Sequence, residues 1–463
     1  MAEEVVFTTS HANGMDSTAN SKAADFVRRE DKYKAIDGYC ARRVTKGATK
    51  PLFNKMVLVV IDALRHDFIP SIDDKRSVQK GRNSGAKHRM PFTETIMQTN
   101  GVGLVSISAT PTVTMPRIKA MISGTLPSFM DFILNLSAYR FNGENLVENA
   151  FKANKRVVFF GDETWIQLLP QHLFAKYNGT SSFFATDYTE VDTNVTYCVD
   201  RELKRLKEWD VMIMHYLGVD HIGHSHGGYH SRLMPKKLLE MDSVIKSIYT
   251  SVSAPDVSEP YLVVITGDHG MTDIGNHGGN TPEETDTALI FLSTNQTKVS
   301  ANYDSFGHKA ERVLQVDISS TLSALLGLPL PNKSLGKVML NVLNALHMRK
   351  DEQMCHMFAN ALQIIRNHCR NARQPMASLV DPFSTLEDNT TIQVLAGHKY
   401  NQNHSQSLRF GKQQCLLISG LVWVYLYRSD YGTVSSFKLP AFLYVDRNIR
   451  AKIVFFHVYL III

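Results

Sequence analysis

The chain has 463 residues, of which 44% are hydrophobic and 20% charged, with a formal net charge of +6. A chain of this length can bury a large core, so one large domain with extensions, or two domains, is expected. The balance of apolar and charged residues is ordinary for a globular protein. The net charge is too small to indicate a nucleic-acid partner, and none is expected.

The N-terminal segment, residues 1–51, is predicted to be a poorly ordered extension. It opens with "MAEEVVFTTSHANG", which carries acidic residues where a signal peptide would have an apolar stretch. By that criterion these first 14 residues are expected to be neither a signal peptide nor a membrane anchor.

Short apolar runs follow in chain order and predict strands. They lie at residues 56–63, 101–109, 156–163, 210–218, 261–268 and 288–293. Because these runs are apolar on both faces, they are typical of central parallel strands.

Helical patterns alternate with these runs. Four apolar side chains within residues 234–249 share one helical stripe, namely Leu238, Met241, Ile245 and Ile248. Residues 317–326 end before Gly327, with Pro329 beyond, which is a helix stop signal. The alternation predicts an α/β fold with a central, mostly parallel sheet and helices on both faces. Such sheets carry their sites at the carboxyl ends of the strands.

A basic stretch interrupts this pattern at residues 74–89. Its sequence, "DKRSVQKGRNSGAKHR", has six Lys or Arg after a single acid. A solvated loop is the ordinary interpretation of such a run, and contact with anionic lipid headgroups is the alternative.

Metal-ligand side chains follow three of the predicted strands. The candidates are Asp62, Asp220, His221, His224, Asp268, His269 and His277. Any one of them alone would be explained as a helix cap, a turn former or a packed histidine. Together at one sheet edge, however, carboxylates and imidazoles repel or desolvate one another unless a cation lies among them. Mixed oxygen and nitrogen donors suit zinc or manganese better than calcium.

Cysteines and glycosylation sequons bear on the cellular compartment. The five cysteines show no CxxC spacing, which argues against a cysteine zinc site. Seven N-x-S/T sequons begin at Asn135, Asn178, Asn194, Asn295, Asn332, Asn389 and Asn403. The sequons favour a secretory lumen.

Residues 351–463 are predicted to be a C-terminal extension of uncertain structure. Their most apolar stretches, 415–427 and 453–463, are shorter than the roughly 18–20 residues of a membrane-spanning helix.

Several long motifs resemble a known family. They are "VLVVIDALRHDF" (57–68), "PTVTMPRIKAMISGTLPSF" (111–129), "VVFFGDETW" (157–165), "MIMHYLGVDHIGHSHGG" (212–228) and "VVITGDHGMTDIGNHGG" (263–279). They resemble the lumenal catalytic domain of GPI ethanolamine phosphate transferases, members of the alkaline phosphatase superfamily, and within them the type 2 enzymes that modify the second mannose. The resemblance covers residues 52–350 and implies an alkaline-phosphatase-like sandwich there.

The resemblance also implies a centre with two divalent metal ions, zinc or alternatively manganese. Asp220, His224 and His277 would bind one ion. Asp62, Asp268 and His269 would bind the other, together with the hydroxyl of Thr114.

The same family pattern points to Thr114 as the catalytic nucleophile. The pattern has a threonine two residues before a proline and ten before a glycine, which here are Thr114, Pro116 and Gly124. Metal coordination can activate such a hydroxyl. Thr112 is offset by two positions. The alternative is that Thr114 only caps the helix that follows.

The activity implied is transfer of phosphoethanolamine from phosphatidylethanolamine to a mannose of the GPI-anchor precursor, through a threonine-bound intermediate. The family resides in the endoplasmic reticulum membrane with its catalytic domain in the lumen, although no targeting segment is visible in this chain. The family's N-terminal anchor and multispanning C-terminal half are likewise not recognisable here, and a small membrane partner subunit is a further expectation.

The sequence leaves two rival functions and the roles of several residues open. The rivals are a soluble nucleotide pyrophosphatase/phosphodiesterase-like hydrolase and a truncated non-catalytic paralogue. The residues without an assigned role are Arg65, Arg117, Lys119, His215, His221 and Asp273. His215 lies inside a predicted strand, and a core-filling role explains it.

Overall fold

The computed structural model describes residues 40, 50–72, 90–126, 141, 143–181, 184–295 and 310–371. The chain divides into two units, residues 1–411 and 412–463, and all described residues lie in the first. The basic stretch 74–89 and the apolar stretches 415–427 and 453–463 fall outside the described residues. Among the helices that are described, none is both long and apolar enough to span a bilayer.

A single eight-stranded sheet organises the described part of the chain. Its strands are β1 (Lys55–Ile61), β2 (Gly101–Ile107), β3 (Val157–Asp162), β4 (Lys176–Thr180), β5 (Val211–Tyr216), β6 (Tyr261–Thr266), β7 (Asp286–Ser293) and β8 (Arg312–Leu314). Their spatial order is β4-β3-β5-β1-β6-β7-β2-β8.

Helices connect these strands. They are α1 (Pro91–Asn100), α2 (Thr114–Ser123), α3 (Leu146–Lys152), α4 (Thr164–Leu168), α5 (Glu190–Leu203), α6 (Gly218–His226), α7 (Met234–Val252), α8 (Pro282–Thr285), α9 (Asp317–Leu325), α10 (Leu340–Ala345) and α11 (Lys350–Asn371). Short 3-10 turns lie at His66–Phe68, Pro70–Ile72, Gln171–Leu173 and Gly228–His230.

The mostly parallel sheet predicted from the sequence is confirmed. β1 pairs in parallel with both β5 and β6, and β3 pairs in parallel with β4 and β5. β7 is antiparallel to its neighbours β6 and β2. All six apolar runs form strands, and the sequence missed β4 and β8.

The two faces of the sheet carry two separate hydrophobic cores. Alternate residues of β1 point to opposite faces, as the twofold repeat of a strand requires. Met56, Leu58 and Val60 enter one core, where α2 and α9 pack. Val57, Val59 and Ile61 enter the other, where α5 and α7 pack. The predicted α/β fold with helices on both faces is therefore confirmed.

Both predicted helices are present at the expected places. The stripe of apolar side chains on α7 is buried against the sheet, at Leu238, Met241, Ile245 and Ile248. Helix α9 ends at Leu325, and Gly327 has a positive φ of 64°. A residue other than glycine would be strained there, so this position stops the helix.

A disulfide joins Cys40 to Cys355, which are 315 residues apart in sequence and have Cα atoms 5.0 Å apart. It connects a residue of the N-terminal segment to helix α11. The domain bounds at residues 51 and 350 stay predictions.

Candidate metal centre

The carboxyl ends of three neighbouring strands assemble the candidate site. β5, β1 and β6 are adjacent in the sheet, so the segments that leave them meet at one edge. Asp62 directly follows β1, and Asp268 and His269 come two and three residues after β6. Asp220 lies in the first turn of α6, immediately after β5. The structure thus brings together the side chains that the sequence placed at one edge.

Asp220, His224 and His277 form what we call the open group. His224 Nε2 lies 3.3 Å from Asp220 Oδ2, and His277 Nε2 lies 3.6 Å from Asp220 Oδ1. The two histidine Nε2 atoms are 3.0 Å apart. His224 follows Asp220 by four residues on α6, so one helical face presents both side chains. The His224 side chain is 34% exposed.

Asp62, Asp268 and His269 form what we call the buried group. His269 Nε2 lies 3.3 Å from Asp62 Oδ1 and 3.4 Å from Asp268 Oδ2. All three residues are at most 2% exposed. The rings of His269 and His277 stack with centroids 4.0 Å apart, so the two groups adjoin.

The buried group carries strong electrostatic strain without a cation. Burial, followed by repulsion from Asp268 and Asp220, raises the pKa of Asp62 well above its ordinary value. Burial, with a contribution from His277, lowers the pKa of His269 to about 3. His269 is therefore neutral at pH 7, as a metal ligand must be.

Several site oxygens are buried without a hydrogen-bond partner, and this fits a metal site. They are Asp62 Oδ1, Asp220 Oδ1 and Asp268 Oδ2. An unpaired buried carboxylate oxygen is costly, whereas a cation among these atoms would satisfy it. Three overlapping clusters have ligand atoms within 4.8 Å of one another and could hold a metal ion: Asp220, His224 and His277; Asp62, Asp220 and His269; and Asp62, His215 and Asp268.

The histidine tautomers also fit metal binding. His269 Nδ1 lies 2.9 Å from the Gly270 carbonyl oxygen, and His277 Nδ1 lies 2.8 Å from that of Thr112. A carbonyl oxygen only accepts, so each Nδ1 carries the proton of the neutral ring. Each Nε2 therefore turns a lone pair toward the site, as is usual for a metal-ligating histidine.

Thr114 lies beside the buried group at the start of α2. Its hydroxyl oxygen is 3.3 Å from His269 Nε2, and the residue is only partly buried. Val113, not Thr114, occupies the position that caps α2. The Thr112 hydroxyl instead donates to the Gly279 carbonyl and accepts from the Gly278 amide, both at 2.9 Å. Thr112 therefore holds the loop of His277, and Thr114 keeps its hydroxyl directed at the site.

Arg65 and Asp273 pair with each other beside the site. Arg65 Nη1 donates to Asp273 Oδ1 at 2.8 Å, and Arg65 also forms a two-bond pair with Asp67. Its guanidinium lies 4.5 Å from the centre of the Tyr229 ring. These contacts join the end of β1 to the loop after β6. They place Asp273 outside the two ligand groups.

The other open residues take different positions. Nδ1 of the buried His221 lies 2.6 Å from the Asp187 carbonyl oxygen. Arg117, to which the sequence assigned no role, is fully buried on α2, and burial lowers its pKa to about 10. The Lys119 ammonium lies 5.0 Å from the centre of the Phe141 ring.

Glu284 is a site-supporting residue that sequence reasoning missed. Its carboxylate accepts from the amides of Gly279 and Thr281 at 2.8 and 3.1 Å, and from the Thr281 hydroxyl at 2.9 Å. It thereby fixes the glycine-rich loop that carries His277. The spacing of Thr281 and Glu284 is that of a capping box, which could have signalled this role.

Similar proteins point to one family. The model of the type I phosphodiesterase / nucleotide pyrophosphatase family matches residues 56–312. The human protein named GPI ethanolamine phosphate transferase 2, catalytic subunit, is 42% identical over 317 residues, which are 68% of this chain and 30% of the human one. The Kluyveromyces lactis protein named GPI ethanolamine phosphate transferase 2 is 40% identical over 319 residues, which are 65% of this chain and 38% of that one.

A solved structure, murine ectonucleotide pyrophosphatase / phosphodiesterase 5, superimposes with a TM-score of 0.45 at 13% identity, covering 63% of this chain and 99% of that one. This chain spans 30% and 38% of the length of the human and Kluyveromyces lactis relatives. The family model, in contrast, covers more than half of this chain and includes β1, α2, β5 and β6, from which most of the site is built. The chain belongs to the type I phosphodiesterase / nucleotide pyrophosphatase family.

Proposed function

We propose that this chain transfers phosphoethanolamine from phosphatidylethanolamine to a mannose, the second one, of the GPI-anchor precursor. The observation that carries the proposal is the Thr114 hydroxyl, 3.3 Å from His269 Nε2 at the place where the two ligand groups adjoin. Relatives that are 42% and 40% identical and are named GPI ethanolamine phosphate transferase 2 support a GPI acceptor and ethanolamine phosphate as the transferred group. The phosphatidylethanolamine donor is part of the proposal.

The two groups are proposed to hold two divalent ions, zinc or alternatively manganese. Asp220, His224 and His277 would hold one ion, and Asp62, Asp268, His269 and the Thr114 hydroxyl the other. Bound there, such ions supply Lewis acidity that neutralises charge on the reacting phosphoryl group and favours the deprotonated threonine hydroxyl.

In the first step the Thr114 oxygen attacks the donor phosphorus. The bond from phosphorus to the diacylglycerol oxygen breaks, and diacylglycerol leaves with the proton that threonine has lost. The backbone amides in the first turn of α2 are a favourable place for the phosphate, because helix N-termini attract anions. Phosphoethanolamine is then esterified to Thr114.

In the second step a mannose hydroxyl attacks the same phosphorus from the side that diacylglycerol has left. The bond to Thr114 breaks, and the mannose proton returns to threonine. His269 Nδ1 carries the ring proton, and its Nε2 is a proposed metal ligand, so His269 would not take up a proton in either step.

The lumenal face of the endoplasmic reticulum is the proposed location. The Cys40–Cys355 disulfide supports an oxidising compartment. Of the seven sequon asparagines, Asn178, Asn194, Asn295 and Asn332 are exposed, and the other three lie outside the described residues. A small membrane partner subunit remains part of the proposal.

The rival functions receive less support. A soluble nucleotide hydrolase would use the same metals and threonine, and the family description includes nucleotide pyrophosphatases. The relatives matched at 35–42% identity, however, are named transferases. A non-catalytic paralogue would not require six predicted ligand residues to lie together around one threonine.

Trapping the covalent intermediate tests the proposal. Wild-type protein quenched with labelled phosphatidylethanolamine, and no acceptor, should carry label on the peptide containing residues 111–117. Thr114→Ala should fold, bind metal and carry no label, whereas Thr114→Ser should be labelled because it keeps a hydroxyl. Label on Thr112, or near-normal transfer by Thr114→Ala, would overturn the assignment. Turnover of a nucleotide phosphodiester without transfer to a mannosylated acceptor would favour the hydrolase.

A further inference from the structure

The motif "GDETW" at residues 161–165 has no part in the ligand groups or the nucleophile. It spans the end of β3 and the start of α4. β3 pairs with β5, which places Gly161 opposite His215. His215 is fully buried on the strand next to β1, with Nδ1 3.8 Å from Asp162 Oδ2 of the motif and Nε2 facing Asp62, so this histidine links the motif to the metal centre.

Gly161 allows the two strands to approach at this point. Its φ is +131°, and a Cβ atom there would lie 2.1 Å from the His215 carbonyl oxygen. Any other residue would force β3 away from β5. The first position of the motif therefore sets the distance between His215 and the residues that follow Gly161.

Asp162 and Thr164 direct the motif's tryptophan. Asp162 Oδ1 accepts from the Thr164 amide at 3.0 Å and from its hydroxyl at 2.8 Å, which fixes the start of α4. Trp165 then packs on Phe159 with ring centroids 5.4 Å apart. Its indole Nε1 lies 3.1 Å from His215 Nδ1, and both residues are fully buried.

The indole contact decides which His215 nitrogen carries the proton. An indole N–H is a donor only, so His215 Nδ1 must accept and cannot itself be protonated. The proton of the neutral imidazole therefore sits on Nε2. That nitrogen lies 3.9 Å from Asp62 Oδ2 and has no hydrogen-bond partner. This tautomer is the opposite of that of His269 and His277, whose Nδ1 atoms face carbonyl oxygens.

We propose that His215 is a positioning residue and that Trp165 keeps it in the tautomer this role requires. Its Nε2–H dipole faces Asp62 Oδ2 at 3.9 Å, beyond hydrogen-bond distance, and attracts that carboxylate electrostatically into the orientation that faces the metal. The inference rests on the metal centre of the proposed function. His215, Asp62 and Asp268 lie close enough together for His215 to look like a third ligand of an ion. A protonated Nε2 has no lone pair for a metal, so His215 faces Asp62 with an N–H dipole rather than with a ligand atom.

A tryptophan substitution with a matched control tests this role. Trp165→Phe removes the indole N–H and keeps the packing, and it should weaken the binding of one zinc ion by about 10–100-fold, as loss of a ligand-orienting contact does. The second zinc ion should bind as in the wild type. Trp209→Phe is the control, because that fully buried indole donates to the Glu202 carbonyl at 3.0 Å in the core of the opposite sheet face. Competition with a chromophoric chelator measures both affinities.

Substitutions of His215 provide a second comparison. His215→Gln can accept from Trp165 with its amide oxygen and turn its amide N–H group toward Asp62, so it should retain most of the zinc affinity. His215→Leu can do neither and should lose at least as much affinity as Trp165→Phe. Equal zinc binding by His215→Leu and wild type would overturn the proposal.

The tautomer of His215 can be determined in the absence of metal and substrate. In two-bond proton–nitrogen correlation spectra of histidine-labelled, metal-free wild-type protein, His215 should carry its proton on Nε2, whereas His269 and His277 carry theirs on Nδ1. A proton on His215 Nδ1, or a scalar coupling of His215 to bound cadmium, would overturn the inference. Wild-type protein that binds no zinc would instead contradict the proposed function, while the spectra would still test the tautomer.

Discussion

The buried group and the open group contain the same kinds of donor but differ in their access to solvent. Asp62, Asp268 and His269 are at most 2% exposed, whereas the side chain of His224 is 34% exposed and that of His277 14%. The buried group consists of residues that directly follow the central strands β1 and β6. The open group stands on helix α6 and on a glycine-rich loop.

The difference matters most for the protein without metal. Water reaches His224 and His277 of the open group, so these two positions can be solvated when a cation is removed, although Asp220 is itself buried. The buried group has no such solvent, and its repulsion shows in the raised pKa of Asp62. We therefore expect the buried group to bind its ion more tightly and to dominate both stability and catalysis, since Thr114 also lies against it.

The largest expected effect comes from removing one ligand of each group in turn. Asp268→Ala removes a fully buried carboxylate from beside His269, and turnover should fall by about 10³-fold, the upper range for loss of one electrostatic stabiliser. Added zinc should not restore it, because solvent does not reach this group. His224→Ala should lower turnover less, and millimolar zinc should restore part of it, since water can occupy the vacated position.

Metal content per chain and turnover across a zinc titration separate the two variants. Both proteins should retain one ion. Full restoration of Asp268→Ala turnover by zinc, or a larger loss of turnover in His224→Ala, would contradict the prediction. Solvent access would then not explain which ligand group matters more for catalysis.

Asp62→Asn should have a smaller effect, which is on the free energy of unfolding. The variant should be more stable than wild type without metal and less stable with zinc bound. Because the folded-state pKa of Asp62 lies above its unfolded value, the metal-free protein loses stability as pH rises through that interval. Asn removes the buried charge, so metal-free Asp62→Asn should be more stable than wild type at pH 8 by about 1–3 kcal/mol. The gain should vanish toward pH 4, where the wild-type carboxyl is protonated.

Thermal unfolding of variant and wild type, measured once in chelator and once with zinc, tests the stability difference under both conditions. With zinc present the variant should become the less stable protein, because it lacks a ligand. Asp220→Asn in the open group is the matched control and should gain less in chelator. Lower stability of metal-free Asp62→Asn at pH 8 would contradict the electrostatic account.

The sequence predicted the central part of the fold better than its edges. The six apolar runs became strands because burial on both faces leaves an unmistakable pattern. β4, with the sequence "KYNGT", is half-exposed at the sheet edge, and β8 has only three residues, so neither carries that pattern. The reversed direction of β7 could not be predicted, because an apolar run looks the same in either direction.

The candidate site also has parts that the sequence predicted and parts that it did not. Ligands at strand ends were predictable, since parallel strands bring their carboxyl ends to one edge. The link from Trp165 to His215 depends on the register that sets Gly161 opposite His215, and no local pattern encodes that register. The Cys40–Cys355 disulfide closes a separation of 315 residues, so spacing gave no sign of it.

The smallest expected effect concerns Glu284, which supports the open group from outside. Its carboxylate accepts the Gly279 and Thr281 amides at 2.8 and 3.1 Å and so fixes the loop of His277. Glu284→Gln keeps the shape but removes the charge and one acceptor, so stability should fall by about 1 kcal/mol. Zinc affinity should fall a few-fold for the open group alone, because His277 is the one proposed ligand on this loop.

Glu283→Gln is the matched control, because Glu283 is the next residue in the chain and its side chain is exposed. Chelator competition on both variants decides the point, and an equal loss of both zinc ions in Glu284→Gln would mean that the two groups are coupled rather than separable.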